Sequence, residues 1–343
     1  MTSLLPKKPM DRWKKVLLIV ACTLLGLILL ACSALGILWL CGRRALLSKP
    51  GDVVLSPPAG YDVTIDDDAS VVYNGKRYCY NSDVTAIVCM GTDRTEDLVT
   101  IGNGYGQADT LFLVAIDTKS GKITIINVSR DILAEIDVYD ENGEFLSVER
   151  HQICLAHAYG NSPESACNNT VTAVSRLFYG IPINTYFAID WSSIPLLTQS
   201  VGGVVVPAYD KEWNPIDGTV TLSGADAIQY LKGRRSDIVS ANLGRMERQV
   251  SYLKSLASKA IEFSRSTPTF PITLFETLSD HSTSNLDVSR ITYLSCVFLD
   301  NGAQLDFRSV AGEVSMGEKF AEMHVDQTAL FEMVLEVFFK PIP

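Results

Sequence analysis

Residues 16 to 40, VLLIVACTLLGLILLACSALGILWL, form an uncharged run of 25 positions. About 20 apolar residues are enough for a helix to cross a bilayer, so the run predicts a transmembrane helix. The segment before it carries Lys7, Lys8, Arg12, Lys14 and Lys15 against Asp11. The positive-inside rule then predicts a cytoplasmic tail at 1–15, a single-pass anchor at 16–40 in the cell membrane, and an extracytoplasmic remainder.

A cleavable signal peptide is the alternative interpretation of this run. Its apolar region is normally only about 7–15 residues long, which favours an uncleaved anchor. The stretch LLAC, which ends at Cys32, faintly resembles a lipoprotein processing site. Eight more uncharged residues follow that cysteine, which again favours the anchor.

The predicted outer segment is strongly acidic. Removing the 8 basic residues and 1 acidic residue of the first 49 positions from totals of 29 and 39 leaves 21 basic and 38 acidic side chains. Such a surface repels nucleic acid, so we expect no nucleic-acid partner. Five cations nevertheless occur within positions 230–249, YLKGRRSDIVSANLGRMERQ. We interpret this local cluster as a site for a compact anion.

The cysteines of the outer segment are ambiguous. Five lie beyond the anchor and its edge at Cys41, and an oxidising compartment permits the pairs Cys79–Cys89 or Cys154–Cys167. Buried free thiols are an equally good interpretation. The cysteine and histidine spacings do not suggest zinc.

Alternating strand and helix patterns predict the fold. Residues 41–83 read as a linker with small peripheral strands, and VTAIVCM (84–90) as a strand buried on both faces. LFLVAI (111–116) and ITIINV (123–128) flank a polar turn and should pair antiparallel; TYFAID and VGGVVV read as further strands. We expect an α/β/α sandwich, a central mixed β-sheet flanked by helices.

Three helices are predicted from periodicity and capping residues. NNTVTAVSRLFYG should begin at Asn168 or Asn169 and stop at Gly180. Ser223 should cap GADAIQYLK, and RMERQVSYLKSLASKAIEF shows an apolar stripe at helical spacing.

Two aspartates stand at strand ends. Asp93 follows VTAIVCM in GTDR, and Asp109 precedes LFLVAI in GQADT. Strand ends are where α/β sheets place ligands, and one or two carboxylates with phosphate oxygens suit Mg²⁺. We predict a Mg²⁺ site, with Mn²⁺ as the alternative metal. A turn residue and a solvated strand start are the structural alternatives.

Basic residues follow strands or share a helix face. Arg130 ends the ITIINV strand in VSRD, where an ordinary ion pair is the alternative. Arg245, Arg248 and Gln249 lie at i, i+3 and i+4 of LGRMERQ, on one helix face with Glu247 directed away. Two arginines on one face repel unless an anion lies between them, and arginine grips phosphate bidentately. A solvated basic face is the alternative.

Seven motifs follow one another between about residues 84 and 260: GTDR, ADTLFLVAIDTKSGKITIINVSRD, ICLAHAYGN, GIPINTYFAID, VGGV, LSGADAIQYLKGR and LGRMERQ. In this order the sequence resembles the LytR-CpsA-Psr family. The resemblance implies that 84–343 is a catalytic domain on the outer face of a Gram-positive membrane. Such enzymes transfer a phosphorylated glycopolymer, such as wall teichoic acid or capsule, from a polyprenyl-pyrophosphate carrier to peptidoglycan.

The resemblance also implies roles for residues. Asp93 and Asp109 would bind the metal and, with the arginines, act in catalysis. The prenyl tail would lie in an apolar tunnel in the sheet. The residues implied at the pyrophosphate are Arg130, Lys232, Arg234, Arg245, Arg248 and Gln249.

Several positions depart from the family pattern. Gln107 and Ala108 replace the usual Arg-Ser before the second acid, which removes a cation and a hydroxyl. Lys232 replaces the first arginine of an R-x-R pair, Asn242 replaces an acid, and Cys154 replaces an asparagine. A non-catalytic binder of lipid pyrophosphate or glycan that regulates envelope assembly, and a pyrophosphate hydrolase, are therefore kept as alternative functions.

Overall fold

A computed structural model describes residues 12–47, 53, 55–58, 60–66, 69–92, 105–234 and 238–343. The helices are α1 (Arg12–Leu46), α2 (Leu155–Ala158), α3 (Pro163–Leu177), α4 (Ser193–Ser200), α5 (Ala225–Lys232), α6 (Ile238–Ser266), α7 (Phe270–Leu278), α8 (Val288–Asn301) and α9 (Gln327–Phe338). The strands are β1 (Val63–Ile65), β2 (Val71–Tyr73), β3 (Lys76–Tyr80), β4 (Val84–Thr92), β5 (Ala108–Asp117), β6 (Lys122–Val128), β7 (Leu133–Tyr139), β8 (Phe145–Gln152), β9 (Thr185–Asp190), β10 (Val204–Tyr209), β11 (Pro215–Leu222), β12 (Ser282–Ser284), β13 (Gln304–Ser309), β14 (Gly312–Met316), β15 (Ala321–Val325) and β16 (Phe339–Ile342).

The central sheet has six strands in the order β12-β9-β4-β5-β6-β13. The β4–β9 and β6–β13 pairs are parallel, and the β4–β5 and β5–β6 pairs are antiparallel. The predicted antiparallel pairing of 111–116 with 123–128 is confirmed, with Leu111 opposite Val128 and Ile116 opposite Ile123. The predicted mixed α/β architecture is therefore confirmed.

Helices cover both faces of this sheet. Alternate residues of β4 enter different cores because successive side chains of a strand point to opposite faces. Val88 and Met90 pack with α3 and α9, whereas Ile87 packs with the last turn of α1 and with α8. The sheet is consequently buried on both sides, as the apolar run 84–90 predicts.

The α1 helix extends beyond its uncharged run and joins the domain core. Among the described residues, Cys22–Leu46 is the one segment long and apolar enough to cross a membrane. Its far end packs on α8, with Trp39 in an edge-to-face contact with Tyr293 at 5.4 Å and Leu46 only 2% exposed. Gly42 permits this approach, since a Cβ there would collide with the carbonyl of Ser289.

Two predicted helix starts are wrong. Helix α3 begins earlier, at Pro163, where the Ser162 hydroxyl accepts from the backbone N–H of Ser165 in a capping box. Asn168 and Asn169 therefore lie inside the helix. Helix α5 is preceded by Gly224, at φ 49°, without a side-chain cap, so Ser223 is not the N-cap.

The smaller sheets surround the central one. A four-stranded sheet, β1-β2-β3-β16, lies where peripheral strands are predicted and adds the last strand of the chain. Three antiparallel pairs, β7–β8, β10–β11 and β14–β15, complete the described strands. All eight cysteines are free thiols, with Cys154 and Cys167 buried, so neither disulfide pair forms in this structure.

Candidate functional site

The ends of four strands converge at one edge of the central sheet. At the end of β4, Thr92 pairs with Ala108, the first residue of β5, and with Asp190, the last residue of β9. Arg130 lies two residues beyond the end of β6, whose Val128 pairs with Leu111 of β5. This edge brings Asp109 and Arg130 together. The predicted metal ligand Asp93 lies outside the described residues.

Asp109, Arg130 and Arg245 form a buried group that we call the cation cluster. Arg130 donates through Nη1 to Asp109 Oδ1 and through Nη2 to Gln107 Oε1 at 2.6 Å. Arg245 Nη1 lies 3.9 Å from the other oxygen of Asp109, Oδ2. The side chains of Asp109 and Arg130 are 10% and 17% exposed. One carboxylate thus faces two guanidinium groups.

Arg245 lies in an environment that disfavours its own charge. It is 3% exposed. Burial, followed by the positive charges of Arg234 and Arg130, lowers the pKa of Arg245 to about 10. A solvated face would leave the arginine exposed, so that alternative is wrong for α6. A bound anion would stabilise the charged form of an arginine whose pKa is lowered in this way.

Arg248 lies one helical turn away in a different enclosure, which we call the arginine cage. Its Nε donates to the Tyr230 carbonyl at 3.0 Å, and its Nη2 donates to the Gly233 carbonyl. Its guanidinium carbon lies 4.7 Å from the Trp213 ring centroid and 5.2 Å from that of Tyr209. Arg248 is fully buried, and burial lowers its pKa.

The cage fixes the segment that carries two other predicted site residues. Tyr230 and Gly233 bracket the end of α5, so Arg248 holds the backbone on either side of Lys232. Arg234 follows and is exposed, close enough for its charge to lower the pKa of Arg245. Of the side-chain nitrogens of Arg248, Nη1 has no hydrogen-bond partner among the described residues.

An apolar cavity of about 240 Å³ opens beside the cation cluster. It lies between β9, β4 and β5 on one side and α4 and α6 on the other, and its lining includes Phe112, Phe187, Ile194, Leu197, Tyr252 and Leu256. Its lining also includes the polar residues Thr110, which follows Asp109 in the chain, and Gln249, one helical turn after Arg245. Lys232 Nζ lies 4.5 Å from the ring centroid of Trp191, another lining residue.

Two departures from the family pattern meet at Arg130. Gln107 accepts its hydrogen bond from Arg130 and also contacts Cys154, whose Sγ lies 3.8 Å from Gln107 Oε1. Burial raises the pKa of the Cys154 thiol, which keeps it neutral. Gln107 therefore removes one positive charge from this edge and orients Arg130 instead.

The metal prediction is only partly covered by the described residues. Within them, there is no group of three or more His, Cys, Asp or Glu side chains that could hold a metal. Asp109 offers one carboxylate, which already faces two arginines. Hard oxygen ligands of this kind suit Mg²⁺ or Mn²⁺ when phosphate oxygens supply the remaining ligands. Asp109 fits such a metal together with an anion, and its metal role stays a prediction.

Sequence reasoning did not find four residues that shape the site. Tyr209 and Trp213, on and beyond β10, enclose Arg248; Trp191 contacts Lys232; and Asp131 lies 3.6 Å from Arg130 Nε. Their positions depend on how hairpins and loops fold back over the sheet edge. The dipeptide Arg130-Asp131 is the one signal in the sequence, and by itself it indicates only an ordinary ion pair.

The chain belongs to the LytR_cpsA_psr family, whose family model matches residues 61–336. It is 22% identical over 242 residues to polyisoprenyl-teichoic acid–peptidoglycan teichoic acid transferase TagU of Enterococcus faecalis, covering 69% of this chain and 70% of that protein. It is 23% identical over 256 residues to the TagU of Bacillus subtilis, covering 73% and 72%. The structure of TagT bound to LI-WTA superposes with a TM-score of 0.55 at 18% identity, covering 74% of this chain and 89% of that one.

Proposed function

We propose that this protein transfers a phosphorylated glycopolymer, of wall teichoic acid or capsule type, from a polyprenyl-pyrophosphate carrier to peptidoglycan. The observation that carries the proposal is a buried cation cluster that adjoins an apolar cavity. A lipid pyrophosphate has these two chemical parts in direct succession. The activity for which the TagU relatives are named, transfer of teichoic acid from a polyisoprenyl carrier to peptidoglycan, supports the same assignment.

The cation cluster supplies what the pyrophosphate needs. Transfer requires the departing phosphate to be neutralised, and preorganised arginines do this without a proton transfer. Arg130, Arg245 and the exposed Arg234 and Lys232 bind the phosphate oxygens in this proposal, and Gln249 lies at the boundary with the cavity. Arg248 contributes its Nη1 and holds the end of α5 with its other nitrogens.

The apolar cavity receives the first part of the prenyl chain. Its aromatic and aliphatic lining would bury hydrocarbon at a gain of about 25 cal/mol per Å². Mg²⁺, or Mn²⁺, would be held by Asp109 and by Asp93 beyond the described residues. When bound, the metal supplies charge neutralisation of the phosphate oxygens.

The membrane location follows from α1 in this proposal. The basic residues before the span place the tail in the cytoplasm and the domain outside. The far end of α1 packs into the domain at Leu46, so the site is held close to the membrane that contains its lipid substrate. An extracytoplasmic enzyme has no ATP supply, which suits a carrier that brings its own pyrophosphate bond.

The test uses the full-length protein in nanodiscs with a prenyl-pyrophosphoryl disaccharide. It is incubated with and without Mg²⁺, and with and without peptidoglycan glycan strands. The proposal expects a phosphodiester-linked product that needs both additions. Release of sugar phosphate into water without regard to acceptor would indicate a hydrolase, and binding without turnover would indicate a non-catalytic binder. Either result would contradict the proposal.

A further inference from the structure

A second, larger cavity opens on the other side of α6. This groove of about 710 Å³ lies over the ends of β6 and β13 and beside the β14–β15 pair. Its lining mixes side chains that can hydrogen-bond, such as Asn127, Ser251 and Ser309, with an apolar floor that includes Val310 and Met323. Sugars have apolar ring faces and hydroxyl rims, so a mixed lining of this kind suits a glycan.

Helix α6 separates the groove from the apolar cavity. Gln249, Tyr252 and Leu256 face the cavity, whereas Glu247 and Ser251 face the groove. The sheet divides in a similar way, because the cavity lies over β9, β4, β5 and Ile125 of β6, whereas the groove lies over the ends of β6 and β13. Neighbours of the cation cluster line both, since Thr110 and Gln249 line the cavity and Asp131 and Met246 line the groove.

Phosphoryl transfer places the attacking and leaving oxygens roughly in line. A prenyl phosphate that leaves toward the apolar cavity therefore requires the attacking hydroxyl to approach from the opposite side. The groove lies on the other side of α6 from the apolar cavity. We propose that it binds the acceptor, a β-1,4-linked amino-sugar glycan strand, and that Asp131 contacts the attacking hydroxyl. This inference rests on the proposed function.

Asp131 has the position that this role requires. It is one of the residues that line the groove, and it is 8% exposed. Its Oδ1 lies 3.6 Å from Arg130 Nε, and Arg130 contacts Asp109. The residue is held from both sides, since its carbonyl accepts from the Met323 N–H at 2.8 Å and its N–H donates to the Ser129 hydroxyl at 3.4 Å.

Transfer to the acceptor forms one bond to phosphorus and breaks one. The acceptor hydroxyl oxygen forms a bond to the phosphorus that bears the donor sugar, and its proton passes to the Asp131 carboxylate. The bond from that phosphorus to the bridging oxygen breaks. Its electron pair leaves with the prenyl phosphate. The products are a glycan phosphodiester and a prenyl monophosphate.

The test compares two substitutions on α6 in the full-length protein. Ser251→Trp fills the groove, and Ser258→Trp is the matched control on an exposed part of the same helix. Steady-state kinetics use a prenyl-pyrophosphoryl disaccharide donor and a GlcNAc–MurNAc tetrasaccharide acceptor. Ser251→Trp should raise KM for the acceptor at least tenfold and KM for the donor less than twofold. Ser258→Trp should change neither KM.

A second variant tests the carboxylate. Asp131→Asn should lower kcat about 10²-fold or more, the usual range for a lost general base, with KM for the donor little changed.

A wild type that never turns over donor would contradict the proposed function itself. If the wild type transfers the glycan and Ser251→Trp has the same KM values as Ser258→Trp, the groove is not the acceptor site. A rise in KM for the donor alone would assign the groove to donor sugars and overturn it as the acceptor site.

Discussion

The cation cluster and the arginine cage contain two arginines one helical turn apart that are buried to the same degree. Arg245 is 3% exposed and Arg248 is fully buried. Arg245 faces a shared carboxylate and other cations, whereas Arg248 faces two aromatic rings and donates to two backbone carbonyls. Two arginines that are buried one turn apart on the same helix therefore need not have the same role. We propose that the cation cluster binds an anion, whereas the contacts of the arginine cage stabilise the fold.

The largest expected effect is the loss of stability when the cage is emptied. Arg248→Ala leaves the Tyr230 and Gly233 carbonyls without their donor and removes the cation between Tyr209 and Trp213. Hydrogen bonds to charged groups contribute about 1.5–3 kcal/mol each, so we expect a loss of about 3 kcal/mol in the free energy of unfolding. Urea unfolding monitored by circular dichroism measures it.

Arg265→Ala is the matched control for that experiment, because Arg265 is exposed near the end of the same helix. Its free energy of unfolding should change by no more than about 0.5 kcal/mol. If the two variants unfold alike, the cage has no structural role and the contrast with the cation cluster disappears.

The next effect concerns the cation cluster and appears in binding. Arg245→Ala removes a guanidinium whose pKa is lowered by burial and by neighbouring cations, so the ligand-free protein should lose little stability or gain some. Binding of inorganic pyrophosphate should weaken about tenfold or more, which corresponds to one charge-assisted hydrogen bond. Isothermal titration calorimetry of wild type, Arg245→Ala and Arg265→Ala gives the ratio. Equal affinities in these three proteins would show that the cation cluster does not bind pyrophosphate.

The smallest expected effect is a pH dependence of protein stability that arises near the cation cluster and not at the arginine cage. His157 is 5% exposed, and its Nδ1 lies 3.2 Å from the carbonyl of Gly106, next to the Gln107 that contacts Arg130. Burial lowers the pKa of His157 below its ordinary value of 6.5. As pH falls below about 6.5, this histidine is protonated in the unfolded chain but still neutral in the folded chain. The free energy of unfolding therefore decreases as pH falls through about 6.5, by at most about 1.4 kcal/mol per pH unit.

His157→Gln should flatten this part of the stability curve between about pH 7 and pH 5, whereas Arg248→Ala should lower the whole curve without changing its slope there. Melting temperatures across that range, in a set of buffers of equal ionic strength, distinguish the two. A wild-type slope retained in His157→Gln would show that another group titrates.

The sequence predicts the fold well where burial patterns are strong. The runs 84–90, 111–116 and 123–128 are strands because each is apolar and bounded by turns, and the structure pairs them as expected. Capping was less predictable. Asn168 and Asn169 are good caps in isolation, but Ser162 followed by Pro163 starts the same helix six residues earlier.

The candidate site was predictable in its residue types more than in its contacts. The α6 spacing brings Arg245 and Arg248 to one face, as expected, and Glu247 is exposed as predicted. Helical spacing could not reveal that the β10–β11 hairpin would enclose Arg248, since Trp213 is 35 positions away in sequence. The pairing of Gln107 with Arg130 likewise depends on the register of β5 against β6.

The most direct test of the central claim uses farnesyl pyrophosphate, a ligand that combines an anion with a prenyl tail. The thermal shift it produces is measured in wild type, Arg245→Ala, Arg248→Ala, Arg248→Lys and Arg265→Ala, each against its own ligand-free melting temperature, with farnesol as the tail-only ligand. We expect a large shift in wild type and Arg265→Ala, the smallest in Arg245→Ala, and a partial recovery in Arg248→Lys relative to Arg248→Ala, because lysine keeps the charge and loses the fork. Equal shifts in all five proteins, or an equal shift from farnesol, would contradict a pyrophosphate site at this sheet edge.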